Sequence, residues 1–428
     1  MEKLNVSLED YPKEVLDLFE DEEACLKLPQ NLIKDTSKAF SLINTKHIHK
    51  EKETALELIY KVLSNFTFVK LKQVHYKDNY VNDNYINLSS RILAEQVGTY
   101  ECRYRSILDL LIQEGFIEKG LGHKLNVKCT SYKLNDEYST FNVEKYYLKS
   151  SYAIKLHKKN MRRSNLNIFD STIAKNEMLN SSYVEMPSIK EVEKHLKSKS
   201  KKGKTFNKKG KQLKVLGKKK RDNDKYVYVE DYLDLYRTLN KHLKLPKVLS
   251  ERAGHRVMTN INMCPSIIRE LIKVNGKPLA SLDFGCFQPN IANHIYGEEL
   301  KEPLSHEKIA DKLGIDDKKA KTENLSFFNK ECYQMERSKL WDYYNAHHQK
   351  MVVNITSEKR REGYKRPTQK LFSMEVGIMT EIVKRCMESG IIVVYIFDEL
   401  LCKEDFKVDV RAIMEEVCEE KGLKIIVK

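Results

Sequence analysis

The sequence predicts a multidomain α+β protein with an antiparallel sheet in its C-terminal half. Its 428 residues are enough for two or three domains with separate cores. A helix–turn–helix pattern followed by two short strand patterns lies between residues 54 and 135, and two apolar strand patterns after residue 250 each end in an acidic residue. Hydrophobic residues make up 41% and charged residues 32%, which excludes a wholly disordered chain.

Membrane insertion and disulfide chemistry are not indicated. The longest strongly apolar run, residues 390–397, is far shorter than the roughly 20 residues that a bilayer-spanning helix needs. The N-terminus lacks the basic-then-apolar pattern of a signal peptide, and the nine cysteines form no C-x-x-C pair. We therefore expect a cytoplasmic protein with no membrane partner.

Four regions follow from composition and pattern. Residues 1–50 carry no motif that predicts a function, residues 51–150 carry the helix–turn–helix pattern, residues 151–249 read as a basic linker and helical connector, and residues 250–428 carry the acidic strand ends.

Most of the positive charge lies in one stretch. Residues 190–221 hold 15 Lys and Arg against two Glu, a net +13 of the chain's formal +15. One interpretation is a phosphate-binding arm, with Lys218, Lys219 and Lys220 among its nucleic-acid contacts, because lysines that neutralise phosphates release counterions. The other is a solvated linker, since a run this polar cannot build a core.

The N-terminal pattern consists of three helices and two strands. Helical spacing over residues 55–63 is followed by a short helix over 91–97 and a third over 99–115, and residues 116–119 and 131–134 have strand character. This order resembles winged-helix DNA-binding domains over roughly 80 residues. The resemblance implies that Arg103 and Arg105 contact phosphate or guanine in a major groove. Some winged helices only join proteins, which is the alternative.

The C-terminal half contains two carboxylate motifs. Asp283 ends an apolar strand, and a second apolar strand runs into Asp398 and Glu399 and out again as a hairpin. Brought together, carboxylates from two strands would bind divalent cations through hard oxygen ligands, as two-metal phosphoryl transfer requires. Taken singly, each motif is also ordinary turn chemistry.

The order of these motifs resembles the palm of family A DNA polymerases and, more distantly, the single-subunit phage RNA polymerases. We therefore expect a reduced palm over residues 250–428. Four blocks carry the resemblance: residues 254–260 with Arg269, residues 282–284, residues 366–369 with the helix over 371–387, and residues 397–399.

The resemblance implies roles for the acidic residues. Asp283 and Asp398, with the main-chain carbonyl of Phe284, would hold two Mg²⁺ or Mn²⁺ ions, and Glu399 would support the primer end or the metal site. Arg256 and Gln369 would contact the minor-groove side of a primer–template.

The nucleotide site departs from the family pattern. Gln288 stands where the DNA enzymes have a Glu that blocks the ribose 2′-hydroxyl, so this amide could exclude ribose by its bulk or hydrogen-bond to it. Lys321, with Lys318 beside it, matches the family's phosphate-binding lysine, but Asp317 stands where the family has an Arg.

Three functions follow as hypotheses. The first is a template-directed nucleotidyltransferase that replicates a mobile element or phage in the host cytoplasm, acting on a DNA primer–template or origin with nucleoside triphosphates. The second is a non-catalytic replication initiator or regulator in which the palm is degenerate. The third, an RNA polymerase or primer-synthesising enzyme, differs from the first in the sugar accepted at Gln288.

Overall fold

The structure, a computed structural model, describes residues 11, 25–67, 85–98, 103–120, 130–138, 143–165, 168–201, 211–216, 222, 225–241 and 245–428. Within these ranges the fold is mixed α+β, as predicted, with several small antiparallel sheets. Lys218, Lys219 and Lys220 lie outside the described residues, so their role stays a prediction. No helix in the described part of the chain has both the length and the apolar composition needed to cross a membrane.

The chain divides into two compact units. The N-terminal unit comprises residues 13–166 and 228–245, and the C-terminal unit comprises residues 1–12, 167–227 and 246–428. This division differs from the predicted boundaries, since the stretch 151–249 is shared between the two cores. The physical reason is apolar burial: Ile173 and Met178 are almost fully buried, although polar residues surround them in the sequence.

The N-terminal unit contains a central buried helix. Its elements are strand β1 (Cys25–Pro29), helices α1 (Gln30–Ser41) and α2 (Lys52–Leu63), strand β2 (Ile86–Asn87), helices α3 (Ser90–Val97) and α4 (Arg103–Gln113), strands β3 (Ile117–Lys119), β4 (Ser131–Leu134) and β5 (Val143–Tyr147), and helix α5 (Ser151–Asn165). Helix α2 buries Leu58, Ile59 and Leu63 on several sides, so it forms the centre of the core. Strands β2, β4 and β3 form an antiparallel sheet in that order, and β1 pairs with β5.

The next elements are helix α6 (Thr172–Leu179), strand β6 (Val184–Glu185), helix α7 (Ile189–Lys201), strands β7 (Gln212–Lys214) and β8 (Tyr226–Tyr228), and helix α8 (Val229–Lys241). Helix α8 belongs to the N-terminal unit, whereas α6, β6, α7 and β7 belong to the C-terminal unit.

The remaining elements all belong to the C-terminal unit. They are strands β9 (Lys247–Val248) and β10 (Val257–Met258), helices α9 (Asn260–Met263) and α10 (Ser266–Arg269), strands β11 (Lys273–Val274) and β12 (Lys277–Gly285), helices α11 (Phe287–Tyr296), α12 (His306–Leu313), α13 (Asp317–Phe327), α14 (Cys332–Glu336), α15 (Lys339–His347), α16 (Gln349–Glu362) and α17 (Arg366–Glu388), strands β13 (Val393–Ile396) and β14 (Glu399–Lys403), helix α18 (Lys407–Glu420) and strand β15 (Ile426–Val427).

A six-stranded sheet organises this unit. Its order is β13-β14-β12-β11-β6, and β15 pairs with the end of β12. Alternate residues of β12 point to opposite faces. Leu282 and Phe284 are buried on one face, and Ser281 and Asp283 lie on the other. Helix α18 packs against β12 and β14. Asp283 therefore shares a face with Ser281 and, across the register, with Glu399.

Candidate active site

Two adjacent strands bring the predicted acidic residues together. Asp283 of β12 lies directly opposite Glu399 of β14 in the antiparallel register, and Asp398 immediately precedes Glu399. Opposed residues of an antiparallel pair have Cα atoms roughly 4.5–5.5 Å apart and share a face of the sheet. The two carboxylate motifs, separated by more than a hundred residues in the sequence, therefore form one acidic cluster.

The turn that carries Asp398 is strained. Ile396 pairs with Glu399, so Phe397 and Asp398 form a two-residue hairpin loop. Phe397 has a φ of 60°, a backbone conformation that hairpin turns usually give to glycine or asparagine. A bulky residue in this conformation costs on the order of 1 kcal/mol, and such strain concentrates at functional sites.

Asp283 has an unusual electrostatic environment. Burial, and next the negative charge of Asp398, raise the pKa of its carboxyl to about 7, while the charge of Lys321 acts in the opposite direction. The Oδ1 atom of Asp283 is buried and accepts no hydrogen bond from any described residue. A buried carboxylate oxygen without a donor is unfavourable, so this site is suited to a proton or a cation.

The donor set at this cluster is small. No group of three or more His, Cys, Asp or Glu side chains that could hold a metal ion occurs within the described ranges. The predicted set uses only two aspartates and the main-chain carbonyl of Phe284, whose ring is buried and stacks on Phe287 at 4.4 Å. Hard oxygen donors of this kind are those that Mg²⁺ and Mn²⁺ prefer.

Glu399 is held by two donors. Ser281 Oγ donates to its Oε1 at 2.7 Å, and Arg269 Nη2 donates to its Oε2 at 3.3 Å. Arg269 also donates through Nη1 to the Cys264 carbonyl at 3.1 Å, which fixes the guanidinium. Arg269, predicted to contact nucleic acid, is thus placed to orient Glu399.

A second buried network lies beside the acidic cluster. Glu375 of α17 is 1% exposed and accepts two hydrogen bonds from Arg256, Nε to Oε1 and Nη2 to Oε2, both at 2.6 Å. Gln288 of α11 donates its Nε2 to Glu375 Oε2. Gln288 and Arg256, predicted to contact nucleotide and primer–template respectively, are therefore joined through a carboxylate that the sequence analysis did not identify.

A glycine allows this arrangement. A Cβ on Gly254 would lie 2.4 Å from the main-chain carbon of Phe372 in α17, so no larger residue fits there. Gly254 also has a φ of 65°, which L-amino acids rarely adopt. The close approach brings the Arg256 guanidinium over the Phe372 ring, 3.8 Å from its centroid.

Helix α13 contributes the predicted phosphate-binding lysine. The positive charge of Lys321 opposes the rise in the pKa of Asp283 and of Cys286 and contributes to the lowered pKa of His306. Lys318, one turn earlier, is exposed and engages Asp316 through its main-chain N–H. Of the two predicted lysines, Lys321 is therefore the one whose charge acts on Asp283.

His306 is a further polar residue near Lys321. Its Nδ1 lies 3.5 Å from Cys286 Sγ and 3.2 Å from Asn324 Nδ2. Burial, and next the charge of Lys321, lower its pKa to about 4, so the imidazole is neutral at pH 7.

Gln369 lies one helical turn before Phe372 on α17. It is half-buried, and its Oε1 accepts a long hydrogen bond of 3.5 Å from Arg366 Nη1. It is therefore on the helix that carries Glu375, without a contact to the acidic residues.

The two predicted DNA contacts of the N-terminal unit differ from each other. Arg103 is only 9% exposed, and its Nη1 donates to the Val97 carbonyl at 3.0 Å and to Tyr152 Oη at 2.9 Å. It thereby satisfies a carbonyl at the end of α3, which argues against a direct contact with DNA. Arg105 is exposed, and its Nε donates to Tyr104 Oη at 3.1 Å.

Helical spacing could have identified Glu375 in the sequence. Leu371, Glu375, Ile378 and Ile382 recur at intervals of four, three and four residues and are all buried in α17. A carboxylate on an apolar stripe requires a buried partner.

Comparisons with known proteins do not assign the chain to a family. No protein-family model matches the chain, and a search of curated proteins found no match.

Proposed function

We propose that the C-terminal unit is the catalytic part of a template-directed nucleotidyltransferase that extends a DNA primer. One observation carries this proposal: Asp283 and the Asp398–Glu399 pair meet on adjacent strands, beside Lys321, and Asp283 Oδ1 is left without a donor. The resemblance of the same residues to the palm motifs of family A DNA polymerases supports it.

The reaction joins a primer 3′-oxygen to the α-phosphorus of a nucleoside triphosphate. It breaks the bond from the α-phosphorus to the oxygen shared with the β-phosphate, and it releases pyrophosphate and the proton of the 3′-hydroxyl to solvent. Divalent cations bound by Asp283 and Asp398 would supply Lewis-acid activation of the hydroxyl and neutralise phosphate charge. Lys321 adds a positive charge that acts on Asp283, which suits it to the triphosphate. Ser281 and Arg269 keep Glu399 in one orientation next to this centre.

The N-terminal unit supports DNA as the partner. Strand β2, helices α3 and α4, and strands β3 and β4 follow one another along the chain, and the three strands form one sheet. This arrangement supports the resemblance to winged-helix domains. Arg105 near the start of α4 and the basic stretch 190–221 would contribute phosphate contacts. These contacts would deliver the enzyme to its template or origin.

Primer extension tests the proposal. The wild-type chain, Asp398→Asn and Asp409→Asn would each be given a DNA primer–template, Mg²⁺ and either dNTPs or NTPs. We expect Asp398→Asn to lower the rate on the order of 10³-fold or more, because metal-ion stabilisation of the transition state is worth several kcal/mol. Asp409 is an exposed carboxylate on α18, so its amide variant is the matched control and should extend like wild type.

The outcome separates the proposed function from its main alternative. Extension that disappears only in Asp398→Asn supports nucleotidyl transfer. Wild type that binds the duplex but extends neither dNTPs nor NTPs with Mg²⁺ or Mn²⁺ would instead favour a non-catalytic initiator or regulator with a degenerate palm.

A further inference from the structure

The buried network of Arg256, Glu375 and Gln288 is more than a structural ion pair. Both carboxylate oxygens of Glu375 are engaged, Oε1 by Arg256 and Oε2 by Arg256 and Gln288. These three donors leave the carboxylate no freedom to rotate. They also fix the side chain of Gln288, which would otherwise sample several rotamers.

The network lies against Asp398. The Arg256 guanidinium stacks at 3.8 Å over Phe372 and lies 5.5 Å from the ring centroid of Phe397, the residue that precedes Asp398. The charge of Asp398 also acts on Glu375. The network is therefore part of the wall of the proposed active site.

Lys321 lies on helix α13, which packs against α11, the helix that carries Gln288. Its charge acts on Asp283, Cys286 and His306, whereas Glu375 is influenced by Arg256 and Asp398. A nucleotide whose triphosphate lies near Lys321 would therefore extend its sugar toward the network. Gln288, in the first turn of the helix that follows Asp283, is the member of the network that lies on this helix.

We propose that Glu375 is the positioning residue for sugar selection: it holds the Gln288 amide as a fixed wall that admits deoxyribonucleoside triphosphates and excludes ribonucleoside triphosphates. This inference rests on the proposed nucleotidyl transfer. Because its Nε2 is committed to Glu375, Gln288 cannot swing away to make room for a 2′-hydroxyl. The neighbouring rings of Phe397 and Phe372 offer that hydroxyl no hydrogen bond, so its desolvation is uncompensated.

The test is the ratio of kcat/KM for dATP to that for ATP on one primer–template. We expect the wild-type ratio to be on the order of 10² or more, and both Gln288→Ala and Glu375→Gln to lower it about 10-fold or more. In the double variant the ratio should equal that of Gln288→Ala, because Glu375 acts through Gln288 and the two effects are not additive. Glu381→Gln removes another glutamate that pairs with an arginine on α17 and should leave the ratio unchanged.

A second variant and a second measurement distinguish the proposed role of Glu375 from a loss of folding. Glu375→Asp keeps a carboxylate for Arg256 but shortens it away from Gln288, and it should also lower the ratio. Equilibrium binding of dATP and ATP, measured with Ca²⁺ in place of Mg²⁺, should show the same loss of preference without catalysis.

The possible failures are distinct. Wild type that extends primers with dATP, but whose preference is unchanged in both Glu375 variants, overturns the role of Glu375 and leaves nucleotidyl transfer standing. A wild-type preference for ATP also overturns it. Wild type that neither extends primers nor binds either nucleotide overturns the proposed function and this inference together.

Discussion

Buried charges in the two units are satisfied to different degrees. In the N-terminal unit, Arg103 donates to a helix-end carbonyl and to a tyrosine, and Glu57 accepts the main-chain N–H groups of Lys149 at 2.6 Å and Ser150 at 2.9 Å. These charges stabilise the unit's own helices. In the C-terminal unit, Asp283 keeps a buried oxygen without a donor among the described residues, beside two further acids. The difference supports the proposed cation site at the acidic cluster.

The N-terminal unit also contains a buried charged group, Lys61, whose environment can be compared with that of Asp283. Its Nζ is buried and has no hydrogen-bond partner within the described part of the N-terminal unit, and burial lowers its pKa to about 8. A solitary buried lysine can relieve its burial by losing a proton. Asp283 differs from Lys61 because two residues of the same charge, Asp398 and Glu399, act on its carboxyl. An unpaired buried charge alone is therefore weaker support for a ligand site than a cluster.

After the loss of a metal-binding aspartate, the largest effect should come from Lys321. We expect Lys321→Ala to lower kcat/KM for nucleotide by about 10²-fold, because it removes a preorganised positive charge near the reacting phosphates. Lys318→Ala, on the same helix, should change kcat/KM less than about 3-fold, because both lysines are exposed but only the charge of Lys321 is among those that act on Asp283. Steady-state primer extension measures both. Equal losses of kcat/KM in the two variants would contradict a specific role for Lys321 and would show that only the overall positive charge of the helix matters.

In the N-terminal unit, Arg103→Gln should cost about 2–3 kcal/mol of unfolding free energy, because it removes hydrogen bonds from a buried charged donor. Chemical denaturation followed by circular dichroism measures this loss. A variant as stable as wild type, with impaired DNA binding, would instead make Arg103 a recognition residue.

Arg105→Gln should leave stability within about 0.5 kcal/mol of wild type, because the side chain is exposed. It should weaken DNA binding and reduce the slope of log affinity against log salt by about 0.9 if one phosphate contact is lost. Fluorescence anisotropy over a salt series measures the slope. An unchanged slope would exclude Arg105 from the phosphate contacts.

The smallest effect should be on thermal stability as a function of pH. Burial and the charge of Asp398 raise the pKa of Asp283 to about 7 in the folded chain, whereas an unfolded aspartate titrates near 3.9. The folded state therefore binds the proton more tightly, and the resulting stability is complete below about pH 4 and is lost as pH rises through about 7.

Without divalent cations, wild-type Tm should thus fall between pH 5 and pH 8 by a few degrees more than the Tm of Asp283→Asn, which cannot titrate there. Mg²⁺ should reduce the difference because it binds the deprotonated carboxylate. Parallel melting curves for the two proteins would argue against a raised pKa at Asp283.

The sequence predicted the strands of the site better than their surroundings. Asp283 and Asp398 could be placed at strand ends because short apolar runs precede them, and the structure pairs those strands. Glu375 was missed because its contacts with Arg256 and Gln288 depend on helix packing across 119 and 87 residues of sequence. Local pattern also does not report burial, so Arg103 and Arg105 looked equivalent.

Unit boundaries were the least predictable feature. Asn176 of α6 donates to the Val393 carbonyl at 2.9 Å, a contact over 217 residues that ties α6 to strand β13. The polar composition around α6 gave no indication of that pairing.

The most direct test of the central claim is Mn²⁺ binding at pH 7.5, measured by electron paramagnetic resonance for wild type, Asp283→Asn and Asp409→Asn. If the acidic cluster is a divalent-cation site, wild type and Asp409→Asn bind Mn²⁺ equally, Mg²⁺ competes, and Asp283→Asn binds at least about 10-fold more weakly. Asp283→Asn that binds Mn²⁺ as tightly as wild type would contradict the account.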